Sequence, residues 1–329
     1  MKLTHKILAA TTAALFSITA PTVAAETFPQ ENIRFIVPYA PGGPLDTVAR
    51  LLGEKVEKTL GKTVIVENKA GAGGNIGMNT MLQEKADGHT LAMGAVATMA
   101  INPWIYKEIP FDASKDFAPV ILLSDVPNVL IINKEFAEAE KINTAQDLFN
   151  YIKANPGKLN YASGGNGSAG HLAGELLKAK LGLDMVHAPF QGANPAKLAL
   201  LANQTQVMFD NLASAKTLID DNKVKALAVS TSKRSSFLPD LATLEELGVK
   251  GFDIGTWFGV VAPAGTPEAA INKLNEAYAA AMSDEAVQKQ LKSMGSDLKP
   301  SSAADFKAFA ERELAKYKEI VETAKAKIE

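Results

Sequence analysis

Ile33-Arg34-Phe35-Ile36-Val37-Pro38-Tyr39-Ala40-Pro41-Gly42-Gly43-Pro44-Leu45-Asp46 is a near-continuous apolar run, then a Pro-Gly-Gly turn, then an acidic residue at the start of a new pattern. An apolar run without strict alternation reads as a strand covered on both faces, the condition inside a parallel sheet. Beyond the turn, Val48, Leu52, Val56 and Leu60 recur every fourth residue up to Gly61, which marks an amphipathic helix closed by glycine. The unit then repeats with a strand over 63–67, a Gly-rich turn over 71–77, a short helix to about residue 84 and a strand over 90–94. This alternation is βαβ organisation and predicts an α/β fold.

A second series starts near Val126. Its expected strands lie at 129–133, 159–163, 185–189, 206–209 and 225–230, with helices at 145–154, 171–181 and 196–202. One more strand, over 257–263, leads into a helix with Thr266 at its N-cap and Pro267 at its first position. Only helices follow, the last starting at Ser302 with Asp305 in capping-box spacing. Such a tail has no sheet of its own to cover, so it is expected to pack back on the first unit. The chain then divides into a discontinuous first lobe (26–124 plus 232–329) and a second lobe (125–231), with crossings near Asp125 and Thr231. Two lobes on a hinge with a ligand cleft between them is the wiring of a closing clamp.

Ahead of this, Lys2 and Lys6 precede an apolar stretch over 7–20 and the small residues Val23, Ala24 and Ala25. The pattern predicts a signal peptide, residues 1–25, cleaved after Ala25, and hence export to the periplasm. The stretch is shorter than the roughly 20 residues that span a bilayer. Removing Lys2 and Lys6 takes the formal charge from −2 to −4, a mild acidic balance that argues against nucleic acid and anionic lipid as partners. With no cysteine, disulfides, thiolate chemistry and Cys-based metal sites are excluded.

Four Gly-rich or polar turns fall where strands end: 39–46, 71–77, 163–168 and 190–195. In open parallel sheets, loops at the carboxyl ends of strands line the crevice, and the helices that follow aim their N-termini at it. Those ends favour an anion. The bland alternative is a set of tight turns, but four on one rim favour a site. Gly165-Asn166-Gly167-Ser168-Ala169-Gly170 matches G-x-G-x-x-G, yet a dinucleotide site also needs an acid at the end of the next strand, where Pro189, Phe190 and Gln191 stand. The turn therefore reads as a small-anion cradle.

Catalytic residues are not expected. His5 lies in the leader and His89 in an Asp-Gly-His turn, while His171 and His187 have no metal-ligand spacing. Asn166 stands two residues before Ser168, so there is no nucleophile elbow. His171 suits a structural hydrogen bond. Asp46 and Asp210 are open between a structural role and ligand contact, and Trp257 and Phe258 between packing at the hinge and stacking on a ligand.

The stretch 33–43 with Asp46 and Ala49-Arg50 resembles the opening of the Bug family, the receptors of tripartite tricarboxylate transporters. The resemblance runs in order through Val66-Glu67-Asn68 with Gly71-Ala72-Gly73-Gly74, Ile101-Asn102-Pro103, Tyr161-Ala162-Ser163 with Gly167-Ser168 and His171-Leu172, Phe209-Asp210-Asn211, and Trp257-Phe258-Gly259 with Ala262-Pro263-Ala264-Gly265-Thr266-Pro267. It implies a type II periplasmic-binding-protein fold, a membrane partner of one large and one small permease subunit, and small organic carboxylate ligands. It also implies that backbone and hydroxyl donors with ordered water hold the carboxylate, which carries over to the loops 39–43 and 163–168. Ala95 and Ala97 stand where the family often has polar residues, implying a more apolar pocket in which Thr98 is the nearest hydroxyl.

The expected ligand-binding set is Tyr39, Ala40, Pro41, Gly42, Gly43, Asp46, Thr98, Ser163, Gly164, Gly167, Ser168, Gln191, Gly192 and Asp210. No metal or cofactor is expected, and the receptor is expected to be a monomer. A periplasmic sensor that passes the closed lobes to a signalling partner uses the same clamp and stands as the alternative. An enzyme on the fold lacks an acid, base and nucleophile set.

Overall fold

The computed structural model describes residues 28–327; the expected leader lies outside them. The chain runs β1 (Ile33–Val37), α1 (Pro44–Leu60), β2 (Val64–Asn68), α2 (Asn75–Leu82) and β3 (Thr90–Ala95). A π-helical turn (Ala97–Ile101) and α3 (Asn102–Ile105) lead to β4 (Phe117–Asn133). Next come α4 (Lys134–Ala139), α5 (Ala145–Ala154), β5 (Asn160–Ser163), α6 (Ala169–Leu181), β6 (Val186–Pro189), α7 (Ala193–Leu201), β7 (Val207–Asn211), α8 (Leu212–Asp220) and β8 (Val224–Val229). The chain ends with β9 (Gly255–Pro263), α9 (Glu268–Met282), α10 (Glu285–Ser293), β10 (Asp297–Leu298) and α11 (Ala303–Ala324).

Each lobe has its own stretch of sheet. In the first, β1 lies between β2 and β3 with all three parallel, and β9 runs antiparallel to both β3 and β4. In the second, β7, β5 and β6 are parallel, while β4 runs antiparallel to β7 on one side and β8 on the other. The apolar run that opened the sequence is buried as its pattern required: Phe35, Ile36 and Val37 have no exposed surface. Val48, Leu52 and Val56 of α1 are equally buried, each burial stabilising the lobe by about 1.5–3 kcal/mol.

β4 belongs to both lobes. Its residues up to Pro127 pair with β9, and from Asn128 they pair with β7 and β8. The sequence suggested only its second half, because Pro119, Ser124, Asp125 and Pro127 break the apolar pattern. The strand absorbs two of these interruptions as register shifts at Pro119/Ile121 and Leu122/Ser124. Ser230 N donates to Asn128 O and Ile254 N to Ser230 O, just before β9 rejoins the first sheet at Gly255. Residues between Ser230 and Ile254 stay with the second sheet, through the Val229–Thr243 bridge and the Phe252 ring stacked 6.1 Å from Phe209.

The helical tail only partly follows expectation. α9 packs on α1, but α11 touches α6 of the second lobe as well as β4 and the π-helical turn. It is tied to the start of β9, where Tyr317 Oη donates to Gly255 O at 2.9 Å and Trp257 Nε1 to Glu313 at 2.9 Å. Trp257 is buried against Phe306 and Phe309 and belongs to this packing. Ser302 caps α11 as expected, accepting from Asp305 N at 3.0 Å. Thr266 does not cap α9: its hydroxyl donates to Pro263 O at 2.7 Å inside the preceding turn, and the helix starts at Glu268. Among the described residues, no helix is long and apolar enough to cross a membrane.

Candidate ligand-binding site

Between the lobes lies a cleft of about 740 Å³, open solvent included. Three helices present their first residues to it: α1 with Gly43 to Asp46, α6 with Ser168 to Gly170, and α7 with Gly192 to Asn194. Asn211, the N-cap of α8, makes a fourth. The first turn of a helix has amide donors with no intrahelical acceptor. Ser168 and Asn211 each cover one of theirs, accepting from His171 N and Ser214 N, whereas Gly43 and Gly192 supply no side-chain cap. Among the described residues, no lysine or arginine lines the cleft, and its charged residues are Asp46 and Asp210. Ala95, Val96, Ala97, Leu45 and Phe209 supply apolar wall.

The two aspartates differ in kind. Asp46 accepts from Gly42 N at 2.8 Å and Asn68 Nδ2 at 3.0 Å, and pairs with Arg50 at 2.9 Å. Burial works to raise its pKa, but these donors, Arg50 foremost, outweigh it and hold the carboxyl below the usual range. Its oxygens are spent on shaping the 39–46 turn. Asp210 is 4% exposed at the end of β7, and burial pushes its carboxyl up to about 6. One oxygen accepts from Asn211 N at 2.9 Å. The Ser214 hydroxyl comes near enough to soften the shift, yet neither it nor Asp210 Oδ2 reaches hydrogen-bonding geometry with any described residue.

Behind the 163–168 turn, Ser163 Oγ meets His187 Nε2 at 2.7 Å and accepts from Gly165 N at 3.2 Å, while Gly167 N donates to His171 Nδ1 at 3.3 Å. The imidazoles stack with centroids 4.2 Å apart. Burial lowers His171 to about 4, and burial with the neighbouring His171 lowers His187 to about 3, so both are neutral at pH 7. The group braces the turn from inside, and Ser163 has no exposed surface.

Of the expected residues, Tyr39, Ala40, Gly43, Asp46, Gly164, Ser168, Gly192 and Asp210 line the cleft. Gln191 lines an adjoining chamber of about 530 Å³ that shares Tyr39 and Gly164 with it. Five do not reach the wall. Thr98 is buried with its hydroxyl returned to Ala95 O at 3.2 Å by the π-helical turn. Ser163 and Gly167 face the histidines, and Pro41 and Gly42 stand exposed on the rim. Reading by loops missed Asn128 and Thr256, which form the floor where β4 and β9 cross, joined by a 2.7 Å hydrogen bond. Strand residues carry no turn signal, so only the topology reveals them. Asn194 lies inside the expected 190–195 turn, and Asn211 follows Asp210 at the end of the expected 206–209 strand.

The lobes touch across the mouth. Tyr106 Oη of the first donates to Asn166 O of the second at 3.0 Å, and a methyl on Gly73 would stand 2.5 Å from that same carbonyl.

Residues 48–325 match the model of the tripartite tricarboxylate transporter family receptor. The periplasmic binding protein BugD is 34% identical and superposes with a TM-score of 0.85 over 91% of this chain and 99% of its own. A Rhodopseudomonas palustris protein solved with adipate is 31% identical, with a TM-score of 0.85 over 91% of this chain and 99% of its own. MatC of Rhodopseudomonas palustris, solved with malate, is 33% identical, with a TM-score of 0.84 over 89% of this chain and all of its own. With this match along nearly the whole described chain and the two-lobed periplasmic-binding-protein fold it shares with them, the protein belongs to the family of tripartite tricarboxylate transporter receptors.

Proposed function

We propose that this receptor captures a small organic carboxylate between its lobes and delivers it to a tripartite transporter with a large and a small permease subunit. The observation that carries the reading is the convergence of helix starts from both lobes on one cleft without a basic side chain. Such a site favours one carboxylate through fixed N–H donors and helix dipoles. In this reading the ligand lies against the starts of α1, α6 and α7, with Asn128, Thr256 and Asn194 as neutral partners. Asp46 holds the first-lobe turn in shape. The alanine wall at 95–97 favours a ligand with an apolar body over one polar at every carbon. The moving units part at Pro127/Asn128 and near Gly255, and the protein acts as a periplasmic monomer that leaves its ligand chemically unchanged. The adipate and malate held by its two structural relatives support the carboxylate class.

A thermal-shift panel of mono- and dicarboxylates including malate and adipate, followed by calorimetry, tests this. A ligand at 100 times its Kd adds about 2.7 kcal/mol to stability, a Tm rise of a few degrees. At least one carboxylate should produce the rise and be recovered intact. No response anywhere in the panel, or steady conversion of a member, would sink the reading.

A further inference from the structure

The wall of an anion site is an unusual place for a second carboxyl group. Asp210 is buried at the end of β7, beside the first turn of α6, where Gly170 packs so closely on Phe209 O that a methyl would overlap it. Asp210 lines the cleft, and its Oδ2 is buried without a hydrogen-bond partner among the described residues, the Ser214 hydroxyl lying near the carboxyl but out of hydrogen-bonding geometry. Lys197 of α7 is the described cation that acts on it, and its ammonium group is engaged with Ser214 O at 3.1 Å. The other elements around it offer no second cation: β4 brings Asn128, β9 Thr256, α6 Ser168 and α8 Asn211. Across the cleft, α1 brings Asp46, whose charge is already met by Arg50, and the preceding turn brings the uncharged Tyr39.

We infer that Asp210 is a proton-carrying ligand contact, so that capture of a carboxylate in this cleft takes up one proton from solution onto Asp210 Oδ2. The inference rests on the carboxylate reading above. Two carboxylates in one site lined by no basic residue among the described residues repel, and a shared proton removes the repulsion. The proton comes from water or buffer, no other bond is made or broken, and the new O–H donates to an oxygen of the ligand. With Asp210 at about 6 in the free protein, capture near neutral pH requires this uptake, whereas capture below pH 6 does not. A ligand bearing an ammonium group would instead keep Asp210 ionised.

Malate and adipate, together with any stronger member of the panel, are titrated by calorimetry at pH 7.5 in buffers of different ionisation enthalpy. The ligand carboxyls, with pKa values near 4–5, are themselves ionised there (~pH 7.5). The slope of observed enthalpy against buffer enthalpy should give close to one proton taken up. Kd should weaken on the order of a hundredfold between about pH 6.5 and pH 8.5. Asp210→Asn, which retains an N–H donor at that position, should bind without proton uptake, with a Kd independent of pH and tighter than wild type at the alkaline end. Binding with no uptake, with release, or with loss of all affinity in a folded Asp210→Asn protein overturns the inference and leaves the receptor reading standing. Absence of binding by every carboxylate removes both.

Discussion

Replacing Gly73 by alanine separates the stability of the first lobe from the closure of the clamp. Gly73 has φ +64°, a conformation that costs a residue with a side chain about 1–2 kcal/mol, so Tm should fall by a few degrees whether or not the lobes meet. The new methyl would also stand 2.5 Å from Asn166 O and 2.9 Å from Tyr106 Oη. Ordinary C···O contacts need about 3.3 Å or more, so the rim must part by roughly 0.8 Å. Asn166 O is backbone and cannot swing aside. Parting breaks the 3.0 Å Tyr106–Asn166 hydrogen bond, worth about 1 kcal/mol, and leaves the closed state less populated by at least about fivefold. Apparent affinity falls in the same proportion, since only the closed state surrounds the ligand. Calorimetry with the best wild-type carboxylate and a melting curve on ligand-free protein measure the two effects separately. Wild-type affinity in a protein whose Tm has dropped as expected would refute a latch at this rim.

Tyr106→Phe removes the same hydrogen bond without backbone strain, so it should weaken binding two- to tenfold and leave ligand-free Tm nearly unchanged. Ser168→Asp keeps a good cap on α6 but sets a charge about 4 Å from a bound carboxylate; at an effective dielectric near 20 the repulsion is on the order of 4 kcal/mol, a thousandfold in Kd. An unchanged Kd in that variant would take Ser168 out of the site. Because burial raises Asp210 from 3.8 to about 6, the folded state holds its proton more tightly than the unfolded chain, so the stability this group contributes is complete below 3.8 and lost as pH rises through 6. Urea unfolding should therefore show Asp210→Asn gaining on wild type by on the order of 3 kcal/mol between pH 4 and pH 7, with parallel curves as the adverse result. Intact-mass analysis of periplasmic protein should find a chain starting at Glu26, and a full-length chain in the membrane fraction would contradict export by a cleaved leader.

How far the sequence discloses this molecule depends on whether a feature is built from neighbours in the chain. α1 was legible because Val48, Leu52 and Val56 repeat at the helical period and all three are buried. The turn ahead of α6 was legible because a strand, a Gly-rich turn and a serine follow one another within ten residues, and Ser168 does cap α6. Thr98 was misleading for a different reason: it was expected at the crevice as the nearest hydroxyl to Ala95 and Ala97, where the resemblance implies polar residues, but the π-helical turn folds the hydroxyl back onto Ala95. β4 was half hidden because prolines and polar residues in a strand that bulges do not resemble a strand.

The floor of the site was hidden altogether, and it bears on how the clamp works. Asn128 and Thr256 lie 128 residues apart, yet one hydrogen bond joins them under the cleft. The carbonyl of the same Asn128 accepts from Ser230 N at 2.9 Å and Ser230 Oγ at 3.0 Å, and Ser230 Oγ also reaches Ile254 O at 2.6 Å. The two segments that join the sheets are therefore stitched together beneath the cleft by these hydrogen bonds. In the proposed clamp the side walls of the cleft move with their lobes, whereas its floor belongs to the segments that join them. A ligand group resting on Asn128 thus acts where the lobes rotate, and one held only by the helix starts acts at the rims, through contacts such as Tyr106 with Asn166.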